Sequence, residues 1–405
     1  MGQGVSAIKQ QLSEGKVENY VMRQRMKSFV VDQRFPSAGH WEVFNGFLDA
    51  GEGSDMGDRG ALKLKLATWN IWFDRQHEPV ARWNDLFDQL FAVSADGSAP
   101  SDVVALQEII TQSYEQLLSR EDVRKDWILT DFTDVLERSS SWYGTLLLVR
   151  KEWLRANGLD QVDMSLTRYE SPMARTLLTV EVGNADGIAL RVGTSHFESA
   201  PQDVERRRRQ FLTAARLLTF PRMHASIESP SFPRRSVDEF EGFLHSRAAE
   251  GGLTPDDLAE VPPSIICGDT NIEGYEELAP LLDGPLGYVD TFASAHPPSA
   301  DAADLAVRNT ELYSTHPTFG TTYTEDPIPV SPKRIDYILA HKGGSSKLRV
   351  LSAKTVGGEV CRVRGEDGRM REAVCVGGKE GKMYPSDHLG VVVELEFARK
   401  EAATA

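Results

Sequence analysis

From about residue 61 onward, short apolar runs recur, and several of them stop at a polar side chain. Leu62-Lys63-Leu64-Lys65-Leu66 alternates apolar and basic residues, the period of a strand with one wet face, and continues into Ala67-Thr68-Trp69-Asn70-Ile71. Further strands are predicted over Asp102–Glu108, Tyr143–Arg150, Thr176–Val182, Ile188–His196, Pro263–Cys267, Ser331–Leu339 and Leu389–Phe397. Helical spacing marks Val80 to Phe91, with Trp83, Leu86, Phe87 and Leu90 on one side. It also marks a segment through Leu117 and Leu118, and then Gln202–Leu218, Val237–Ala249 and Tyr275–Leu282. Strands interrupted by a handful of helices predict a mixed α/β domain of two packed sheets with helices outside.

Residues 1–60 read as an N-terminal helical and linker extension. Ser6 to Lys27 has helical spacing, and the polar, glycine-rich run 51–60 has linker composition. The catalytic domain is placed at 61–400, with insertions at about 221–262 and 357–380. The second insertion reads as a hairpin about Glu366-Asp367-Gly368, since Asp-Gly suits the tight turns that match strand twist.

Composition narrows the classes. At 405 residues with 40% hydrophobic and 26% charged residues, the chain is ordinary for a globular protein. A net charge of −15 argues against wholesale coating of nucleic acid and leaves room for a local basic groove or a metal. The three cysteines, Cys267, Cys361 and Cys375, fit neither a disulfide framework nor a zinc motif; Cys361 and Cys375 could face each other across the hairpin, but free thiols in a reducing compartment are expected. No run is long and apolar enough to span a bilayer, so an intracellular protein, nuclear or cytoplasmic, is expected. Met1-Gly2-Gln3-Gly4-Val5-Ser6 fits the short pattern for myristoylation at Gly2; one acyl chain would give only weak membrane association.

The informative pattern is where the polar residues fall. Asn70, Glu108, His196, and Asp269 with Asn271 each lie at or just past the end of an apolar strand. Asp387 and His388 lie just before one, and Asp336 sits within a strand among Ile335, Tyr337 and Ile338. Singly each has a local explanation: a turn, a cap, a satisfied histidine, or an Arg334–Asp336 salt bridge. Together they are hard to attribute to turn chemistry. Carboxylates with an amide oxygen are hard ligands suited to Mg²⁺ or Mn²⁺, histidines and Asn can donate to phosphate oxygens, and a further carboxylate can orient or deprotonate water. That set describes metal-assisted phosphoester hydrolysis.

The order Trp-Asn-Ile, Leu-Gln-Glu, Ser-His-Phe-Glu-Ser, Gly-Asp-Thr-Asn, Arg-Ile-Asp-Tyr and Ser-Asp-His over about 62–398 resembles the endonuclease/exonuclease/phosphatase (DNase I-like) superfamily. The resemblance implies a four-layer sandwich, two mixed sheets between helices. Met173-Ala174-Arg175-Thr176-Leu177-Leu178, Thr194–Ser199 and Gly268–Asn271 are most similar to the tyrosyl-DNA phosphodiesterase 2 family, which hydrolyses the 5′-phosphotyrosyl bond left by a trapped topoisomerase. That implies an Mg²⁺-dependent DNA-repair phosphodiesterase with DNA 5′ ends as partner. The alternatives are another nuclease, a small-molecule or lipid phosphodiesterase, or a binding protein without turnover.

By the same resemblance Glu108 is the main metal ligand, with Asn70 and Asp387 nearby. Asp269 activates water, Asn271, His196 and His388 hold the phosphate, and Asp336 orients His388. Arg175 is expected either on the phosphate or in a strand-end salt bridge. Trp142 and Tyr143 form either a wall for a stacked base or core packing. The chain departs from the family at Glu273, where a basic residue is usual, and at the apolar Trp72-Phe73 after the first motif. Arg206 to Arg209, placed on the exposed side of their helix, form either a compensating basic patch or a solvated face.

Overall fold

The computed structural model describes residues 61–76, 78–92, 100–139, 141–219, 237–254, 261–272, 274–297, 333–344, 347–364, 370–372 and 383–398, with 23–25, 28–31, 41–43, 46, 48 and 318. Gly2, Glu273, Cys375 and the turn at 366–368 lie outside them. The strands are β1 (Arg23–Arg25), β2 (Ser28–Val31), β3 (Trp41–Val43), β4 (Ala61–Asn70), β5 (Val103–Ile109), β6 (Trp127–Thr130), β7 (Gly144–Arg150), β8 (Gln161–Arg168) and β9 (Thr176–Asn184). After them come β10 (Gly187–Ser195), β11 (Ser264–Asp269), β12 (Val289–Asp290), β13 (Asp336–His341), β14 (Leu348–Val356), β15 (Arg362–Arg364), β16 (Met370–Glu372) and β17 (Gly390–Ala398). The helices are α1 (Pro79–Phe91), α2 (Thr111–Ser119), α3 (Glu121–Asp126), α4 (Phe132–Ser139), α5 (Lys151–Ala156), α6 (Val204–Thr219), α7 (Val237–Ala249), α8 (Ala279–Leu282) and α9 (Thr291–Ala295).

One sheet has the order β1-β8-β9-β10-β11-β13-β12 and the other β14-β17-β4-β5-β7-β6-β2-β3. Both are mixed, since β10–β11 and β4–β5 pair in parallel and their other neighbours pair antiparallel. Side-chain alternation sorts the layers. Ile265, Cys267, Ile338 and Ala340 join the large core between the sheets, while Ile266, Tyr337 and Leu339 join a second core under Phe211, Ala214, Ala215 and Leu218 of α6. On the other side α1 buries Trp83, Leu86, Phe87 and Leu90. The expected α/β sandwich of two sheets with outer helices is therefore what the chain forms.

Three readings are corrected. Arg23–Arg25 is a strand paired with β8, and β2 pairs with β6, so part of the stretch before residue 60 extends both sheets instead of standing apart as helix and linker. Backbone pairing at sheet edges has overridden helical spacing. Arg334 does not pair with Asp336: it holds Asp290 through two bonds of 2.8 and 2.5 Å and stacks 4.2 Å from the Tyr337 ring. In α6 every arginine of the run has an acidic partner: Arg206 with Asp203, Arg207 with Glu277, Arg208 with Glu205 and Glu241, Arg209 with Asp238. Arg207 is buried (1% exposed), because its position falls on the packed face of the helix.

His341, at the far end of β13 from the polar rim, carries a stability prediction. Burial, then neighbouring Lys342, lowers its pKa from 6.5 to about 4, while its Nδ1 accepts the Gly343 N–H at 3.0 Å. A folded value below the ordinary one means the stability is fully present above 6.5 and is lost as pH falls towards about 4. The loss is on the order of 3 kcal/mol. Thermal melts between these limits should show that acid limb, and His341→Asn, which keeps an acceptor, should flatten it.

Candidate active site

The alternation that builds the core between the sheets turns polar at one rim. Leu64, Leu66, Thr68 and Asn70 face inward from β4, and Leu190, Val192, Thr194 and His196 from β10. Ile265, Cys267 and Asp269 do so from β11, and Asp336, Ile338 and Ala340 from β13. The site is thus the last inner-face row of four strands, brought together by the packing that buries the rows beneath it. Gln107 floors it, donating to Thr68 Oγ1 (3.1 Å) and to Thr194 Oγ1 (3.0 Å), so a polar bridge joins the two sheets directly below.

Glu108 breaks the alternation and needs a separate device. One residue after inward Gln107, it would point outward as Leu106 does. The β5–β7 register instead shifts between Leu106 and Ile109, and Glu108 takes a φ of 61°. A bulge re-aims a side chain in this way. Its Oε2 accepts the Phe73 N–H (3.1 Å) and its Oε1 lies 3.8 Å from His196 Nδ1. Burial, then the charge of Asp387, pushes its pKa up to about 7.

Gly268 supplies the second device. Its φ is 130°, and a Cβ there would lie 2.1 Å from the Ser195 carbonyl oxygen. Glycine lets β10 and β11 approach closely and sets His196 beside Asp269. Gly268→Ala should therefore lower the melting temperature sharply and abolish activity; a variant that melts with wild type would show that the two strands can part without cost.

Asp269 is the hub. Its Oδ2 accepts Asn70 Nδ2 (2.9 Å) and lies 3.4 Å from His196 Nε2 and 3.7 Å from His388 Nε2. Its Oδ1 accepts the Asn271 N–H (3.1 Å). Burial opposes charge on Asp269, but His196, His388, the Asn70 amide and Arg175 outweigh it and hold the pKa below the ordinary value. His196 itself is lowered to about 3 by burial, then by Arg175, so it is neutral near pH 7. With His196 neutral, the cations that keep Asp269 ionised are His388 and Arg175, the former raised well above 6.5 because Asp336, Asp269 and Asp387 overcome its burial.

His388 Nδ1 lies 2.8 Å from Asp336 Oδ2, and Ser386 Oγ ties the preceding turn to the Asn70 carbonyl (2.7 Å) while accepting the His388 N–H (3.2 Å). Burial raises the pKa of Asp336 to about 6, and burial raises that of Asp387 as well. Asn271 adopts a φ of 51° and donates Nδ2 to the Phe197 carbonyl (3.1 Å).

Beside His196 a small pocket is lined by Tyr143, Thr145, Met173 and Arg175. Arg175, 5% exposed, donates to the Tyr143 hydroxyl (2.9 Å); its Nε has no hydrogen-bond partner among the described residues, and neither has Thr145 Oγ1 or His196 Nδ1. Tyr143, Phe73 and the half-exposed Trp142 form an aromatic group with ring centroids 4.9–5.3 Å apart, so Trp142 is a surface residue and not core.

Three supporting residues escaped the sequence reading: Gln107, Ser386 and Arg82. Arg82 is fully buried and ties two loops of the site by donating to the Asp74 (2.7 Å) and Pro385 (3.3 Å) carbonyls. The sequence signal for Arg82 is an arginine on the apolar face of α1; Gln107 and Ser386 lie inside the Leu-Gln-Glu and Ser-Asp-His motifs.

The donor chemistry decides where a metal fits. Asp269, Asp336 and His388 each offer a ligand atom within 4.8 Å of the others and by proximity could hold an ion. His388, however, has a carboxylate beside each ring nitrogen that favours its protonated form, so a metal there would have to displace a proton. The Glu108–Asp387 side fits better. There the charge of Asp387 works against ionisation of a buried Glu108, and a hard cation relieves that opposition.

No protein-family model matches the chain, and no curated protein matches it. Among solved structures it is similar to a humanized D. rerio TDP2, at 18% identity over 82% of this chain and 98% of that one, with a TM-score of 0.49. It is similar to a mannosyl-6-phosphatase of Bacteroides thetaiotaomicron, at 15% identity over 82% and 99% with a TM-score of 0.43. It is also similar to the human Nocturnin catalytic domain, at 14% identity over 82% and 94% with a TM-score of 0.43.

Proposed function

We propose that the chain is a Mg²⁺- or Mn²⁺-dependent phosphodiesterase that hydrolyses 5′-phosphotyrosyl DNA ends. The observation that carries the reaction type is the convergence at Asp269 of an amide, a neutral imidazole and a protonated imidazole, with Glu108 beside them. A cation held by Glu108 with Asn70 and Asp387 would supply positive charge to the phosphate and to the departing oxygen.

The residues divide the remaining work. Asp269, ionised and within reach of three donors, accepts a proton from the attacking water as the water oxygen bonds to phosphorus and the bond to the leaving oxygen breaks. His388 donates to a phosphoryl oxygen, and Asp336 keeps the ring charged and aimed. His196 and Asn271 complete the phosphate cradle. A phenol, with a pKa of about 10, leaves far more readily than an alkoxide, which suits a site with one cation position. Arg175 beside Tyr143, with Phe73 and Trp142 beyond, gives an aromatic group such as tyrosine or a base a wall next to His196.

Purified protein should release tyrosine from a 5′-phosphotyrosyl oligonucleotide with Mg²⁺ and stop when EDTA is added. Turnover without metal overturns the mechanism. In parallel assays, equal or better rates on an abasic duplex or on sphingomyelin would overturn the tyrosyl substrate while leaving the reaction type.

A further inference from the structure

Arg175 stands at the end of a turn that should not hold its shape unaided. Ala174 has a φ of 56°, in the left-handed region that a residue with a Cβ rarely adopts, and persists there only when its surroundings over-determine it. The hydrogen bonds around the turn show what does so. Ser171 Oγ accepts the backbone N–H groups of Met173 (3.1 Å) and Arg175 (3.0 Å), which uses both acceptor positions of a hydroxyl. Its single O–H donates to Glu198 Oε2 at 2.7 Å.

Glu198 is fully buried, and its Oε2 also accepts Gln210 Nε2 of α6 (3.2 Å), whose Oε1 takes the Glu198 backbone N–H (3.0 Å). Three residues earlier on the same face of α6, Arg207 donates to the Glu198 (3.3 Å) and Ala200 (2.8 Å) carbonyls and is anchored by the buried Glu277 carboxylate at 2.7 Å. Glu198 lies two residues past His196, and the intervening Phe197 is fixed by its N–H to the Asp269 carbonyl (2.9 Å) and by its own carbonyl to Asn271 Nδ2 (3.1 Å).

A buried carboxylate is costly and is retained where something depends on it. We infer that Glu198 is a positioning residue: through Ser171 it sets the 171–175 turn, and so the Arg175 guanidinium, at a fixed distance from His196 and Asp269, with Gln210 and Arg207 as its backing. The inference rests on the reading of Arg175 as a phosphate contact. It also gives Arg207, the buried arginine of the run, a role in building the cleft.

The test compares Ser171→Ala, Glu198→Ala and Glu198→Gln, each alone and combined with Arg175→Ala, with melting temperatures recorded throughout. Ser171→Ala and Glu198→Ala should each lower kcat/KM on the tyrosyl oligonucleotide by roughly 10²-fold, the scale of a misplacement of about 1 Å. Neither should lower it further once Arg175 is alanine. Glu198→Gln, which keeps an oxygen for both donors, should recover most of the loss. A second readout needs no turnover: the Arg175 Nε–Hε resonance, assigned by its disappearance in Arg175→Lys, should shift and exchange faster in Ser171→Ala. Losses that add in full to that of Arg175→Ala, or an unmoved resonance in Ser171→Ala, overturn the inference. If wild type turns over no substrate, the functional reading fails and the resonance alone decides the brace.

Discussion

Asp269→Asn should cut turnover by roughly 10²–10⁴-fold, the range of a lost general base, and leave the protein folded. The amide is nearly isosteric. Its oxygen can keep either the Asn70 Nδ2 bond or the Asn271 N–H bond, while its NH₂ faces the remaining donor. Two functions are lost at once, because the same carboxylate is to receive the water proton and is one of the charges that keep His388 protonated. The pH profile should therefore change shape as well as height, since the imidazole loses a counter-charge on one side and keeps Asp336 on the other. Full activity in this variant would move the water-activating role elsewhere.

Glu108→Gln should reduce activity at least as far and should separate metal binding from folding. Wild type at a hundredfold excess of Mg²⁺ over its Kd should gain about 2.7 kcal/mol of stability, and that gain should collapse in the variant. Without metal the sign reverses. Burial and Asp387 push the Glu108 pKa up to about 7, so the carboxylate is a burden on the metal-free fold, and the neutral amide should melt higher. Thermal melts with and without Mg²⁺ check both halves. A variant that keeps its Mg²⁺ shift would take Glu108 out of the ligand set.

Most of the sandwich was legible because most strands are amphipathic or wholly apolar and end at a polar residue or a glycine. The predicted bounds of β4, β5, β7, β10 and β17 lie within about two residues of those formed. Other strands escaped for identifiable reasons. β14 is largely exposed at a sheet edge, and β6 has only four residues. By contrast, β8 carries a clean Val162, Met164, Leu166 alternation, a period-two signal that is present in the sequence. At the site, the residue types and their rim positions could be read from the strand ends. What could not be read is the bulge that turns Glu108 inward, since register belongs to the pair β5–β7 and not to either strand. The partner of Arg334 was likewise decided across 44 residues, by Asp290, and not by the nearer Asp336.

The neutralised arginines of α6 bear on how a polyanion would be held. An unpaired basic run neutralises phosphates and displaces the cations condensed on them, so binding through it weakens steeply with salt. Here Asp203, Glu277, Glu205, Glu241 and Asp238 already pair with those arginines, on a chain with a net charge of −15. α6 therefore has little free positive charge to neutralise phosphates and should add little to the salt dependence of a polyanion held nearby.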